Sequence, residues 1–151
     1  MKYTNLLIRD YSDPAFQKAF RQYFQELGVS VSNWDGLFAQ MTDDGCACFI
    51  RRDEADRIIG FIQFSKLSMT SWFFEDRCGF VQEFWIAPEY RRQGHGAALL
   101  AQTEEWFRRQ GICRMILTTD TAEKFYLRHG YRRDISIVAK NRAPVFVKEM
   151  E

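Results

Sequence analysis

Apolar positions step by three and four in some parts of the chain and cluster into short β-branched and aromatic runs in others, and these changes of period divide it into elements. Thr4 to Arg9 is a short apolar stretch that predicts a first strand. Asp13-Pro14 then offers an N-cap and a proline at the first helical position, and Phe16, Ala19, Phe20, Tyr23, Phe24 and Leu27 follow at helical spacing until Gly28. Trp34, Leu37, Phe38 and Met41 predict a second helix, capped by Ser32 or Asn33 and closing near Gly45. Cys46 to Arg51 and Ile58 to Ser65 are β-rich runs flanking a polar connection, and an antiparallel pairing is expected of them.

The segment from Phe80 to Gln110 is the most informative. Residues 80 to 87 are aromatic and β-branched and stop at Pro88, which has no N–H for a ladder, so they predict a buried strand. From Ala97 the positions Leu99, Leu100, Thr103, Trp106 and Phe107 return to helical spacing, with Gly111 where a left-handed cap falls. Arg114 to Thr118 reads as another buried strand, parallel to the first through the crossover helix. Asp120-x-x-Glu123 has the form of a capping box for a short helix from Thr121 to about His129. Tyr131 to Ala139 and Pro144 to Met150 predict a closing hairpin over Lys140-Asn141-Arg142. The alternation of strands and helices gives a mixed α/β class, and 151 residues without repeats or linkers suit a single domain, 1–151.

Composition narrows the classes of function. A hydrophobic share of 46% excludes disorder, and 21 Lys and Arg against 20 Asp and Glu give a formal charge of +1, which supports neither a nucleic-acid nor a membrane partner. No apolar run approaches the ~18 residues of a span and no leader-like segment opens the chain, so a cytoplasmic location is the default expectation. Cys46, Cys48, Cys78 and Cys113 lack paired C-x-x-C spacing and have only His95 and His129 as further ligands, so buried free thiols are expected and no metal.

The chemistry sits between strand and helix. A helix N-terminus presents unpaired N–H groups and partial positive charge, and glycines let an anion approach them. Arg91 and Arg92 add full charges beside Gly94 and Gly96. The turn is therefore a candidate phosphate or pyrophosphate seat, the alternative being a Gly-rich turn with solvated arginines. A P-loop is excluded because no Lys-Ser/Thr follows Gly96, and a dinucleotide fingerprint because Leu99 stands where a third glycine is needed.

What remains, Arg91-Arg92-Gln93-Gly94-His95-Gly96, resembles the acetyl-CoA-binding motif of the GNAT superfamily of N-acetyltransferases, Gln/Arg-x-x-Gly-x-Gly/Ala. Ala122 to Tyr131, with Phe125-Tyr126 and Gly130-Tyr131, is similar to the family's Ala-x-x-Phe-Tyr-x-x-x-Gly-Phe/Tyr segment. The resemblance covers residues 45 to 150 well and the first third only through its order of elements.

It implies a mixed central sheet flanked by helices, acetyl-CoA as cosubstrate without a metal, and transfer of the acetyl group to a primary amine of a small molecule or peptide. By the same resemblance the phosphates meet the amides from Arg92 through Gln93, Gly94, His95 and Gly96 to Ala97. The pantetheine arm follows Phe84, Trp85 and Ile86, with Thr119 and Phe125 as further contacts. Thr119 stands where many relatives have an asparagine, which weakens one expected hydrogen bond. Tyr126 matches the family's general acid for the departing thiolate. Glu83 matches an acidic strand position, shares a strand face with Trp85, and is the favoured base, with Glu75 and Asp76 in reserve; Gln82 and Arg114 cannot serve. Trp34, Asp35 and Phe38 are acceptor-pocket candidates or core. The stretch from Leu67 to Arg77, with Trp72, Phe73 and Phe74 beside acids, fits a substrate-facing edge, a homodimer contact or strand packing. A non-catalytic acyl-CoA-binding regulatory or interaction module of the same fold is the alternative function.

Overall fold

The computed structural model of the chain describes residues 2–70 and 75–151, the side chains of 69, 70 and 75 excepted. Strand β1 (Thr4–Ile8) is followed by helices α1 (Pro14–Leu27) and α2 (Trp34–Asp44), then β2 (Ala47–Arg52), β3 (Ile58–Thr70) and β4 (Glu75–Ile86). A single 3₁₀ turn, Pro88–Tyr90, separates β4 from α3 (His95–Arg108), and β5 (Arg114–Thr118), α4 (Glu123–Arg128), β6 (Arg132–Arg133) and β7 (Val145–Glu149) complete the order. Among the described residues, seven strands form one mixed sheet in the order β1, β2, β3, β4, β5, β7, β6. β1 pairs antiparallel with β2, Thr4 opposite Arg52. β4 runs parallel to β5, Gly79 opposite Met115 and Phe80 opposite Ile116, as a crossover through α3 requires.

The helix starts are chemical. Asp13 accepts from the Ala15 amide at 3.1 Å and Pro14 occupies the first turn, where its missing N–H costs nothing. Asn33, not Ser32, caps α2 by accepting from the Gly36 amide at 3.0 Å. The capping box expected at Asp120 and Glu123 does not form. The Thr119 hydroxyl instead accepts from the Ala122 amide at 3.0 Å and the Thr121 amide at 3.4 Å, and α4 begins two residues later than expected.

The chain folds as two compact units, Met1–Gln63 with Glu83–Leu100 and Phe64–Gln82 with Ala101–Glu151. In the first, the apolar stripe of α1 buries Phe16 and Phe20 with Phe38 of α2, Phe61 of β3 and Trp85 of β4. The Phe20 ring lies 4.7 Å from Phe24, 5.6 Å from Phe61 and 5.9 Å from Phe38. Truncating such a ring costs about 3–5 kcal/mol, so α1 is bound to the sheet by packing rather than propensity. In the second unit Phe64 meets Trp106 and Phe107 at 5.0 and 5.4 Å. Gly79 is required there by space, because a Cβ would stand 2.5 Å from the Phe107 ring and 2.7 Å from the Met115 sulfur.

Three expectations change. β3 and β4 are longer than their apolar cores, and Leu67 to Arg77 is divided between them; Trp72, Phe73, Phe74 and the Glu75 side chain lie outside the described residues. The closing hairpin is reduced to Arg132 opposite Val147 and Arg133 opposite Phe146, because Ile135 and Val138, the apolar residues that suggested a longer strand, are each 83% exposed. The cysteines are free, but only Cys48 is buried and Cys113 is exposed. Among the described residues no helix is long and apolar enough to cross a membrane, and no cluster of metal-ligating side chains occurs.

Candidate active site

The turn after β4 is built from two left-handed residues. Arg92 has φ 63° and Gly94 has φ 87°, and a Cβ on Gly94 would meet nothing within 4 Å, so the outer side of the turn is open. The first bond reaching into α3 runs from the Ala98 amide to the Gly94 carbonyl at 3.1 Å, which leaves the amides of His95, Gly96 and Ala97 ahead of the ladder. Among the described residues, no backbone carbonyl accepts from the amides between Arg92 and Ala97. Donors converging at a helix N-terminus form an anion seat.

The side chains around this seat divide sharply. Arg92 and Gln93 are exposed, Gln93 donating to the Glu89 carbonyl at 3.1 Å. Arg91 is tied inward: its Nε donates to the Ile86 carbonyl at 2.9 Å and its terminal nitrogen meets Glu26 at 2.7 Å. His95 is buried, with Nδ1 accepting from Arg51 Nε at 2.9 Å and its ring edge-on to Tyr3 at 4.4 Å. Burial and the Arg51 charge hold its pKa below the ordinary histidine value, so it stays neutral. His95 thus anchors the start of α3 with its ring and offers the turn only its main chain.

On β4, Glu83 and Trp85 do share a face, and both reach α1. The Tyr23 hydroxyl donates to Glu83 Oε2, and the Trp85 indole N–H donates to Glu26 Oε1 at 2.9 Å. Burial raises the pKa of Glu83, and the Tyr23 hydrogen bond offsets part of that rise. Phe84 and Ile86 are half-buried. Trp34 and Phe38 stack at 5.6 Å under the Arg21 guanidinium; Phe38 is core, Trp34 is half-buried against it, and Asp35 is exposed.

In the second unit Tyr126 is buried, its ring 5.2 Å from Phe125, 5.4 Å from Tyr131 and 6.5 Å from Phe146. Burial pushes its pKa above that of free tyrosine, so the phenol keeps its proton throughout the neutral range. Phe125 leans on His129 at 4.6 Å, and the Thr119 hydroxyl accepts from the Thr121 and Ala122 amides in the turn before α4. Asp76 pairs with Arg114, which also meets Glu149. The polar partners that sequence reasoning missed are Tyr23, Glu26 and Arg51, which carry no motif and are recognisable only by what they touch.

The Acetyltransferase (GNAT) family model matches residues 4–131. The chain belongs to the GNAT acetyltransferase family. That membership assigns it the family's acyl transfer from an acyl-CoA. Solved GNAT structures share its fold at low identity. Arabidopsis thaliana NAA60 in complex with a bisubstrate analogue is 13% identical, with TM-score 0.75 and 99% of each chain covered. The PaiA N-acetyltransferase from Thermoplasma acidophilum, in complex with coenzyme A, is also 13% identical, with TM-score 0.72 and 99% of each chain covered. N-acetylglutamate synthase from Neisseria gonorrhoeae, complexed with coenzyme A and N-acetyl-glutamate, is 13% identical with TM-score 0.69, over 100% of this chain and 36% of that one. No curated protein matches the chain in sequence.

Proposed function

We propose that this chain, as one acetyltransferase domain over residues 1–151, transfers the acetyl group of acetyl-CoA to a primary amine of a small molecule or peptide. The observation that carries the reading is the turn from Arg92 to Ala97, whose amides have no backbone acceptor among the described residues and whose Gly94 borders open space. A diphosphate satisfies those donors, and the exposed Arg92 adds a full charge.

The acceptor enters as the neutral amine, and Glu83, with its raised pKa, is the base that takes the proton its nitrogen loses as the amide forms. The nitrogen lone pair forms a bond to the thioester carbonyl carbon, and the carbon–sulfur bond breaks with its electron pair leaving on sulfur. Tyr126 donates its proton to that thiolate. Phe84, Trp85 and Ile86 supply the strand against which the pantetheine arm lies, and Phe125 and Thr119 are its further contacts in this reading. Thr119, which stands where many relatives have an asparagine and whose hydroxyl is engaged by the Thr121 and Ala122 amides, favours a second reading, a non-catalytic acyl-CoA-binding module.

One assay separates the two. Acetyl-CoA is incubated with the protein and a panel of polyamines, aminoglycosides and lysine or N-terminal peptides, and thiol release is followed beside direct CoA binding. Saturable binding with amine-dependent release is the expected result. Binding without release on any amine selects the binding module, and no saturable binding at millimolar CoA overturns both.

A further inference from the structure

Glu83 is half-buried, and the polar group its carboxyl meets comes from α1. The Tyr23 hydroxyl donates to Glu83 Oε2, while the Tyr23 ring is held 5.8 Å from Phe20, 5.7 Å from Phe24 and 5.6 Å from Phe61. Glu26, one turn beyond Tyr23 on α1, is committed elsewhere: it pairs with Arg91 and accepts from the Trp85 indole. On β4 the residues sharing the Glu83 face are Val81 and Trp85, and from β3 the groups facing this side are Phe61 and Gln63, the latter bonded to Tyr11. Among the described residues, no lysine or arginine approaches the carboxyl, so the phenol alone opposes the cost of burying its charge.

We propose that Tyr23 is a positioning residue for Glu83, aiming its carboxyl and keeping it ionisable at a half-buried position so that it can work as the base. The inference rests on the reading of Glu83 as that base. It follows from geometry. Tyr23 and Glu26 stand three apart on one helix face, Glu83 and Trp85 two apart on one strand face, and the two hydrogen bonds join these pairs in register. A helix clamped by buried rings thus delivers one oriented donor to one carboxylate.

The test combines a structural and a kinetic readout on the full chain. The side-chain carboxyls of glutamate are titrated by ¹³C NMR in the wild type and in Tyr23→Phe, with the Glu83 resonance assigned by its loss in Glu83→Gln. Phenylalanine keeps the ring packing and removes only the donor. The Glu83 titration is expected to move to higher pH in Tyr23→Phe, because burial then acts unopposed. The acid limb of kcat/KM for the best amine moves with it. On that limb kcat falls roughly tenfold and recovers at alkaline pH, the size of one hydrogen bond to a charged group, while KM for acetyl-CoA is unchanged. An unmoved Glu83 titration overturns the inference and leaves the base reading standing. A titration that moves while the acid limb stays in place, with Glu83→Gln equally active, overturns the base reading and the positioning role with it.

Discussion

The end of β4 and the turn that follows it are adjacent in sequence and opposite in condition. From Glu83 to Arg91 the polar side chains that face the core unit find protein partners: Glu83 has Tyr23, Trp85 has Glu26, and Arg91 has both Glu26 and the Ile86 carbonyl. From Arg92 to Ala97 the main-chain donors find no backbone acceptor among the described residues, and two residues hold left-handed backbone to keep them so. A folded chain rarely leaves donors unmatched unless water or a ligand takes them. The first region is scaffold, and the second is the receptor proposed for the diphosphate. Two consecutive arginines with the same charge fall on either side of the line.

The comparison breaks most readily at Gly94. A residue with a side chain is strained at φ 87° and fills the open side of the turn. The free variant relaxes the turn away from φ 87° and binding must restore it, so Gly94→Val is expected to weaken CoA binding roughly 30-fold, the equivalent of about 2 kcal/mol of left-handed strain, before any blocking of the ligand is counted. Calorimetric titration with CoA checks it, and an affinity within twofold of wild type removes the receptor from the argument.

A smaller effect sharpens the contrast between the arginines. Arg92→Ala is expected to raise KM for acetyl-CoA roughly fivefold, with the difference shrinking as salt is added, since an exposed charge facing a diphosphate is screened. Arg91→Ala is expected to change KM less than twofold. It loses instead a half-exposed ion pair worth about 0–1 kcal/mol, read as a slightly lower Tm. Equal KM effects from the two variants would erase the distinction.

The smallest effect concerns stability and pH. Glu83 has a folded pKa above the ordinary glutamate value of 4.5, so the native state holds this proton more tightly than the unfolded chain. Its ionisation then costs stability progressively as pH rises from that ordinary value through the raised one. Glu83→Gln is accordingly expected to melt above the wild type at pH 7, with the gap closing as pH falls below 4.5. Parallel thermal melts across that range decide it. A variant less stable than wild type at pH 7 would mean that the carboxylate is fully compensated, making the strand end more like ordinary scaffold.

Much of the fold was legible because its signals are local. Asp13-Pro14 and Asn33 start helices through bonds to residues two and three positions away, and the apolar stripe of α1 names its own buried face. The turn at Gly94 was legible for the same reason, since a strand, two glycines and a helix are contiguous. Failures came where a competing local bond or a distant strand decided. The Thr119 hydroxyl took the Thr121 and Ala122 amides and α4 began at Glu123, and the apolar Ile135 and Val138 stayed in solvent because β7 pairs with only two residues before them.

By itself the sequence determined most of the helices and strands, the parallel crossover from β4 to β5, and the Gly-rich turn from strand to helix, all properties of neighbours along the backbone. Tertiary structure alone decided that Arg91 is diverted to Glu26, 65 positions away, that His95 turns inward to Arg51, and that Tyr23 becomes the partner of Glu83. The reason is that a hydrogen bond between side chains depends on where packing brings their ends together. Here the packing of α1 against the sheet set those ends in place.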